Sequence, residues 1–200
     1  MPTDDQDTWL TARFPDPDIS PAEFEEWVVE LFQAVQGQVD NLQVNLHEKI
    51  QGVDGEYDFD ATVRFEFAGM TFLVIVEAKH HNHPIKRDVV SVLKDKMHSV
   101  GAHKGIIVAT APFQKGAVEY AKVHGIALLK VTEGRFTYET KAAEPPPALT
   151  RKEATELMGV PVFVAHAYTA GSTPDSTLCT LVSTRDVDHL AETLLGINPD

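Results

Sequence analysis

Phe24, Val28, Leu31 and Val35 recur at three- and four-residue spacing, with Trp27 and Phe32 widening the stripe, which predicts an amphipathic helix. Ser20-Pro-Ala-Glu23 opens it with a serine cap, a proline at the first helical position and a glutamate three residues after the cap. Gly37 offers the stop. The period then changes to two: Leu42, Val44 and Leu46 alternate with Asn41, Gln43, Asn45 and His47, which predicts a half-buried strand. Gly52-Val-Asp-Gly55 reads as a turn or loop. From Tyr57 to Phe67 the alternation resumes, with Phe59, Ala61, Val63, Phe65 and Phe67 apolar and Asp58, Asp60, Thr62, Arg64 and Glu66 polar. Ala68-Gly69 turns the chain into Phe72-Leu-Val-Ile-Val76, which is apolar at every position and so predicts a strand covered on both faces. That strand ends in Glu77-Ala78-Lys79.

Ile85, Val89, Val92, Leu93 and Val100 form the stripe of a second helix, and Gly105–Thr110 a short buried strand. Phe113, Ala117, Tyr120 and Ala121 mark a third helix that stops at His124-Gly125, followed by a strand over Ile126–Val131 and an edge strand over Arg135–Thr140. The order is α-β-β-β-α-β-α-β, which predicts an α/β fold. A proline-rich break follows at Glu144-Pro-Pro-Pro147. Beyond it the pattern predicts a helix near 151–158, strands near 160–168 and 177–183, and a last helix over 186–195. The expected organisation is an N-terminal arm (1–19), a core domain (20–140), a linker (141–150) and a C-terminal extension (151–200). The extension is either a small subdomain or a layer packed on the core.

Two hundred residues with 43% apolar composition suit one domain with an appendage and exclude wholesale disorder. The single cysteine, Cys179, excludes an internal disulfide and reads as a core residue within Thr-Leu-Cys-Thr-Leu. The N-terminus is acidic where a secretory signal is basic, and the longest apolar run, Phe72–Val76, is far too short for a membrane helix. A soluble, cytoplasmic protein with no membrane partner is expected. Charge is segregated. Residues 1–78 hold 3 Lys/Arg against 17 Asp/Glu, residues 79–130 hold 9 against 3, and residues 131–200 hold 5 against 10, within a net −13. Six of the nine histidines also fall in the basic middle. An acidic molecule can thus present a local cationic surface suited to phosphate.

Glu77 and Lys79 lie two apart on a strand and leave the same face. They sit at the exit of the most apolar strand, where burying a carboxylate and an ammonium is costly unless each is paired. On the preceding strand Asp58 and Asp60 also share a face. Pairing through Ala68-Gly69 lets one of them approach Glu77. Two carboxylates with a lysine between them suit a hard divalent cation, and the lysine can orient or deprotonate a water. A solvated acid–lysine pair is the plain alternative. Lys86, Arg87, Lys94, Lys96 and Lys104 follow shortly after, where phosphate contacts are useful. His80, His81 and His83 match no standard zinc spacing. No glycine-rich phosphate loop, nucleophile elbow or dinucleotide fingerprint is present.

Between Pro21 and Val131 the chain resembles the catalytic domain of Mrr-type (type IV) restriction endonucleases, within the PD-(D/E)xK nuclease superfamily. The resemblance rests on Phe24-Glu25, on Gly55-Glu-Tyr-Asp-Phe-Asp60 and on Val76-Glu-Ala-Lys79-His-His. It continues through Val100-Gly-Ala-His-Lys-Gly-Ile-Ile-Val-Ala-Thr110, Phe113-Gln-Lys-Gly-Ala-Val-Glu-Tyr-Ala121 and His124-Gly-Ile-Ala-Leu. It implies an αβββαβ core with a mixed central sheet flanked by helices, to which the C-terminal residues add a small α/β extension. By position, Asp60 matches the metal-binding aspartate, Glu77 the second acid, Lys79 the lysine, and the Ala78 carbonyl a further metal ligand. Glu25 matches an acid on the first helix that orients a metal-bound water. Asp58 is the rival to Asp60. Glu77 stands where many Mrr relatives carry glutamine. The resemblance implies a Mg²⁺-dependent endodeoxyribonuclease, with Mn²⁺ as a substitute ion, acting on DNA in restriction. His80, His81, Lys86, Arg87 and Lys104 would line the DNA, and two cuts per duplex point to a homodimer. Two other readings stand beside it: a catalytically inactive DNA-binding or assembly module on the same fold, and a metal-binding protein organised by His80–His83.

Overall fold

A computed structural model describes residues 19–80, 82–133, 161, 163–170 and 177–197. The expected arm up to residue 18, edge strand at 135–140, linker at 141–150 and helix near 151–158 lie outside the described residues. The elements are α1 (Pro21–Gln33), β1 (Asp40–Gln51), β2 (Glu56–Phe67), β3 (Met70–Lys79), α2 (Arg87–Val100) and β4 (Lys104–Ala109). They continue with α3 (Lys115–His124), β5 (Ala127–Glu133), β6 (Phe163–Ala170), β7 (Thr177–Val182) and α4 (Val187–Leu195).

The capping pattern at Ser20 forms as read: the Glu23 N–H donates to Ser20 Oγ at 3.3 Å, and the Ser20 N–H donates to Glu23 Oε2 at 3.0 Å. The described strands join one seven-stranded sheet in chain order. β1, β2 and β3 pair antiparallel, β3, β4 and β5 parallel, and β5, β6 and β7 antiparallel again. This is the mixed, helix-flanked α/β sheet of the restriction endonuclease-like fold. Ala68 (φ 50°) and Gly69 (φ 75°) close β2 to β3 as a two-residue turn with both residues left-handed, the form that matches strand twist.

The all-apolar β3 is explained by its position. Val74 and Val76 face a core shared with Phe24, Leu31 and Phe32 of α1 and Leu190 and Leu194 of α4. Ile75 faces the other layer, with Leu93 and Met97 of α2 and Ala117 and Ala121 of α3. α2 lies close to the sheet because β4 carries Gly105 beneath it; a Cβ there would stand 2.5 Å from Met97 Sδ. The β6–β7–α4 segment joins this sheet and the first core layer.

Two expectations need correction. Val92 is 53% exposed and not part of the α2 stripe, because Val90, Leu93 and Met97 set the buried face and Val92 projects well to one side of it. Cys179 is exposed and not a core residue, because β7 is an edge strand; its Sγ lies 3.9 Å from His166 Nδ1. Ile85 and Phe113 precede their helices and pair with each other in an isolated parallel bridge. Among the described residues no helix is long and apolar enough to cross a membrane.

Candidate active site

The β2–β3 ladder runs from Phe67–Met70 to Ala61–Val76 and stops. The next residue on each strand is an acid, Asp60 on β2 and Glu77 on β3. With the ladder ended, the Ala78 N–H donates to Asp60 Oδ2 at 2.7 Å, so the aspartate caps the strand that carries Glu77. Asp58, in contrast, is exposed and stands opposite Lys49 of β1. The structure therefore brings Asp60, and not its rival, to Glu77.

Glu77 is 7% exposed and held from two sides. Lys79 Nζ lies 2.7 Å from its Oε2, and Lys96 Nζ of α2 contacts its Oε1. Burial alone would push the Glu77 carboxyl up, but the two ammonium groups overcome this and hold it below its ordinary value. Asp60 goes the other way. Burial raises its carboxyl, opposed by the Ala78 N–H and by Lys79, while the nearby charges of Glu77 and Glu25 add to the rise. A carboxylate kept uncomfortable by burial and like charge is one that a cation would relieve.

Glu25, on the half-buried flank of α1, reaches the same place; its Oε2 lies 3.2 Å from His47 Nε2. His47 falls on β1 between the pairs Leu46–Ala61 and Glu48–Phe59, opposite Asp60, and its backbone is left-handed (φ 48°). Such a conformation in a β1 residue is strained, and the strain falls beside the acids. Sequence reading missed His47, whose only mark is its polar place in an alternating strand. It also grouped Lys96 with the basic residues suited to phosphate contacts, whereas its ammonium meets Glu77; its position one turn beyond Leu93 was the available clue.

The remaining expected residues are dispersed. His80 Nε2 donates to the Ile19 carbonyl at 2.8 Å and its ring meets the Phe24 ring edge-on, so His80 ties the end of β3 to the entry of α1. His81 lies outside the described residues. Lys86 and Arg87 are exposed at the start of α2, with the Arg87 guanidinium 4.8 Å from the centre of the Tyr120 ring. Lys104 opens β4 opposite Val74, three residues down the sheet from the level of Glu77 and about 10 Å away along the strand. Burial pushes its ammonium group down.

Among the described residues no three His, Cys, Asp or Glu side chains converge on a metal position. A metal here would rest on Asp60, Glu77 and the Ala78 carbonyl. That all-oxygen set of two carboxylates and a backbone carbonyl, completed by water, fits a hard cation of the Mg²⁺ kind and not a nitrogen- and sulfur-ligated zinc.

An acid pair with a lysine, at the broken rung of a mixed sheet with helices on both faces, defines a nuclease-type α/β domain. Residues 17–133 match the Mrr catalytic-domain family, described as restriction endonuclease, and the chain belongs to that family. It carries a restriction endonuclease domain. Two solved structures are similar to it. One is the crystal structure of a protein of unknown function, AF1548: 21% identical, covering 50% of this chain and 56% of that one, with a TM-score of 0.39. The other is the DNA modification-dependent restriction endonuclease AspBHI: 20% identical, covering 64% of this chain and 33% of that one, with a TM-score of 0.40. The chain thus spans about half of the first and a third of the second. No curated protein matches it.

Proposed function

We propose that this chain is a Mg²⁺-dependent endodeoxyribonuclease that hydrolyses DNA phosphodiester bonds in the restriction of foreign DNA in the cytoplasm. The observation that carries the reading is the meeting of Asp60, Glu77 and Lys79 at the rung where β2 and β3 part, in a member of the restriction endonuclease family. Asp60, Glu77 and the Ala78 carbonyl would hold Mg²⁺, or Mn²⁺ in its place. When bound, the ion supplies positive charge against the phosphate and acidifies water.

The chain's own groups divide the remaining work. Lys79 leaves the same face of β3 as Glu77 and is held 2.7 Å from it, so its ammonium is positioned to orient the attacking water against the phosphorus. Glu25, backed by His47, is a second oxygen acceptor for that water. Water adds to phosphorus in line with the leaving oxygen and gives up a proton to solvent, the bond to the leaving oxygen breaks, and that oxygen takes up a proton from solvent to depart as a hydroxyl. Lys86 and Arg87, exposed on the rim at the start of α2, contact the backbone phosphates; His80, His81 and Lys104 are the further DNA-facing candidates. One site per chain makes cutting of both strands the work of a homodimer.

The test is cleavage of supercoiled plasmid, methylated and unmethylated, with Mg²⁺, Mn²⁺ or EDTA. Wild type is expected to nick or linearise DNA only with metal, and Lys79→Ala and Glu77→Gln to lose at least about 100-fold of that rate. DNA retarded on a gel but never cut would replace this reading with an inactive DNA-binding module. Equal cleavage of both plasmids would remove methylation from its specificity.

A further inference from the structure

Lys96 departs from its neighbours on α2. It lies on the flank of the helix, beside the buried Leu93 and Met97, and its side chain is 21% exposed. Its ammonium meets Glu77 Oε1 and lies 5.5 Å from the centre of the Phe59 ring. Lys79 already accounts for the other oxygen, Oε2. Both oxygens of the acid that would bind a metal are therefore occupied by the protein's own cations, one from the strand and one from the helix.

A divalent cation approaching this carboxylate meets two ammonium groups already in contact with it, and their repulsion opposes its binding until one of them withdraws. The two occupants differ in what they can do next. Lys79 belongs to the strand that carries Glu77, beside Asp60, whereas Lys96 comes from α2, the helix that covers this face of β3, with an aromatic face next to it to receive its charge. We propose that Lys96 is the built-in counter-ion of Glu77, and that a divalent cation takes the Glu77 carboxylate only by displacing it. Lys96 is thus a positioning residue that sets the metal concentration at which the site loads. It holds Glu77 in place while the site is empty and resists loading at low metal. The proposal rests on the metal-dependent reading of Asp60 and Glu77.

The sign follows from electrostatics. Removing a positive charge from beside a cation site strengthens cation binding, and at contact distance the change is large even under protein screening. Neutralising Lys96 should therefore lower the Mg²⁺ concentration for half-loading by about tenfold or more.

The experiment is thermal unfolding of the intact chain against Mg²⁺ and Ca²⁺ concentration without DNA, so that binding is read as stabilisation and no turnover enters. Lys96→Met, whose chain can still lie on Phe59, is expected to shift the titration to lower metal. Lys96→Gln carries the same expectation if the methionine variant does not fold. Lys96→Arg should return the midpoint towards wild type, and Lys115→Met, an exposed charge on α3, should leave it unmoved. Asp60→Asn should abolish the metal response. A Lys96→Met midpoint equal to or above wild type, with Asp60→Asn silent, overturns the role of Lys96 and leaves the metal site standing. An Asp60→Asn titration like wild type overturns both, because the cation then binds elsewhere.

Discussion

Asp60 and Glu77 are neighbours with opposite electrostatic loads, and single substitutions should separate them. In the fold the Asp60 carboxyl is raised by burial and by Glu77. Its ionisation therefore costs stability above that raised value, and the cost disappears as pH falls below the ordinary carboxylate range. Asp60→Asn should raise the melting temperature near pH 7 only slightly, by about 1–2 °C for the roughly 0.5 kcal/mol that solvent screening leaves to a half-exposed group, while abolishing cleavage. The gain should vanish in acid, which a pH series of melts would show. Glu77 is lowered: against burial, Lys79 and Lys96 hold it ionised. Its stabilisation is present above its ordinary value and is lost as pH falls through the lowered one. Glu77→Gln leaves two ammonium groups without their shared partner. With both lysines partly exposed, a loss of about 1–3 kcal/mol is expected in denaturant unfolding at pH 7. A variant that costs activity but adds stability marks a group kept for chemistry.

At the scale of elements, the β2–β3 turn and the β1–β2 tip are the informative pieces. Ala68 occupies a left-handed position that asparagine adopts at lower cost than alanine. Ala68→Asn should stabilise by about 0.5–1 kcal/mol with plasmid cleavage unchanged. The β1–β2 tip docks on the end of α2: the Val53 N–H donates to the Ser99 carbonyl at 3.0 Å, and Ser99 Oγ donates to Asp54. A Cβ on Gly52 would stand 3.1 Å from the Ser99 carbonyl oxygen and 3.2 Å from that of Gly55, besides colliding with Ser99 Oγ. Gly52→Ala should cost about 1–3 kcal/mol. Cleavage should fall with it, because the tip leads directly into β2, which carries Phe59 and Asp60; melts and plasmid nicking below the melting range would check this. Element types were legible from period alone, since two-residue and helical repeats rarely imitate each other. The depth of α2 was not. Val92 and Lys96 fit the same apolar-flank spacing, and only tertiary contact with Glu77 and Phe59 half-covers the lysine while the valine stays exposed.

For the whole molecule, the family match ends at residue 133 but the core does not. β6 extends the sheet from β5, and Ala165, Ala167, Val182, Leu190, Ala191, Leu194 and Ile197 fill the layer under α1. At about 1.5–3 kcal/mol for each large buried side chain, losing them removes roughly as much as a domain's whole net stability. A fragment ending at Glu133 should therefore show no cooperative thermal transition by circular dichroism and should bind a dye for exposed apolar surface. A fragment that melts like the full chain would make β6–β7–α4 dispensable. The net charge of −13 is likewise a property of the whole, against which the basic stretch after Lys79 must attract DNA. Binding should accordingly weaken steeply between 50 and 200 mM salt, by about 10-fold or more for a few phosphate contacts.

Periodicity and turn chemistry are local, so the sequence by itself determined the order of elements, the capped first helix, the buried central strand and the acid-x-lysine at its exit. Which aspartate serves, which lysines touch Glu77 and where the last strands attach depend on contacts between residues far apart in the chain. Asp60 was separated from Asp58 by the rung at which two strands part, Lys96 was brought to Glu77 by the crossing of a helix, and Cys179 was left exposed by the edge position of its strand. Each of those outcomes is set by register and packing, which no window along a single chain contains.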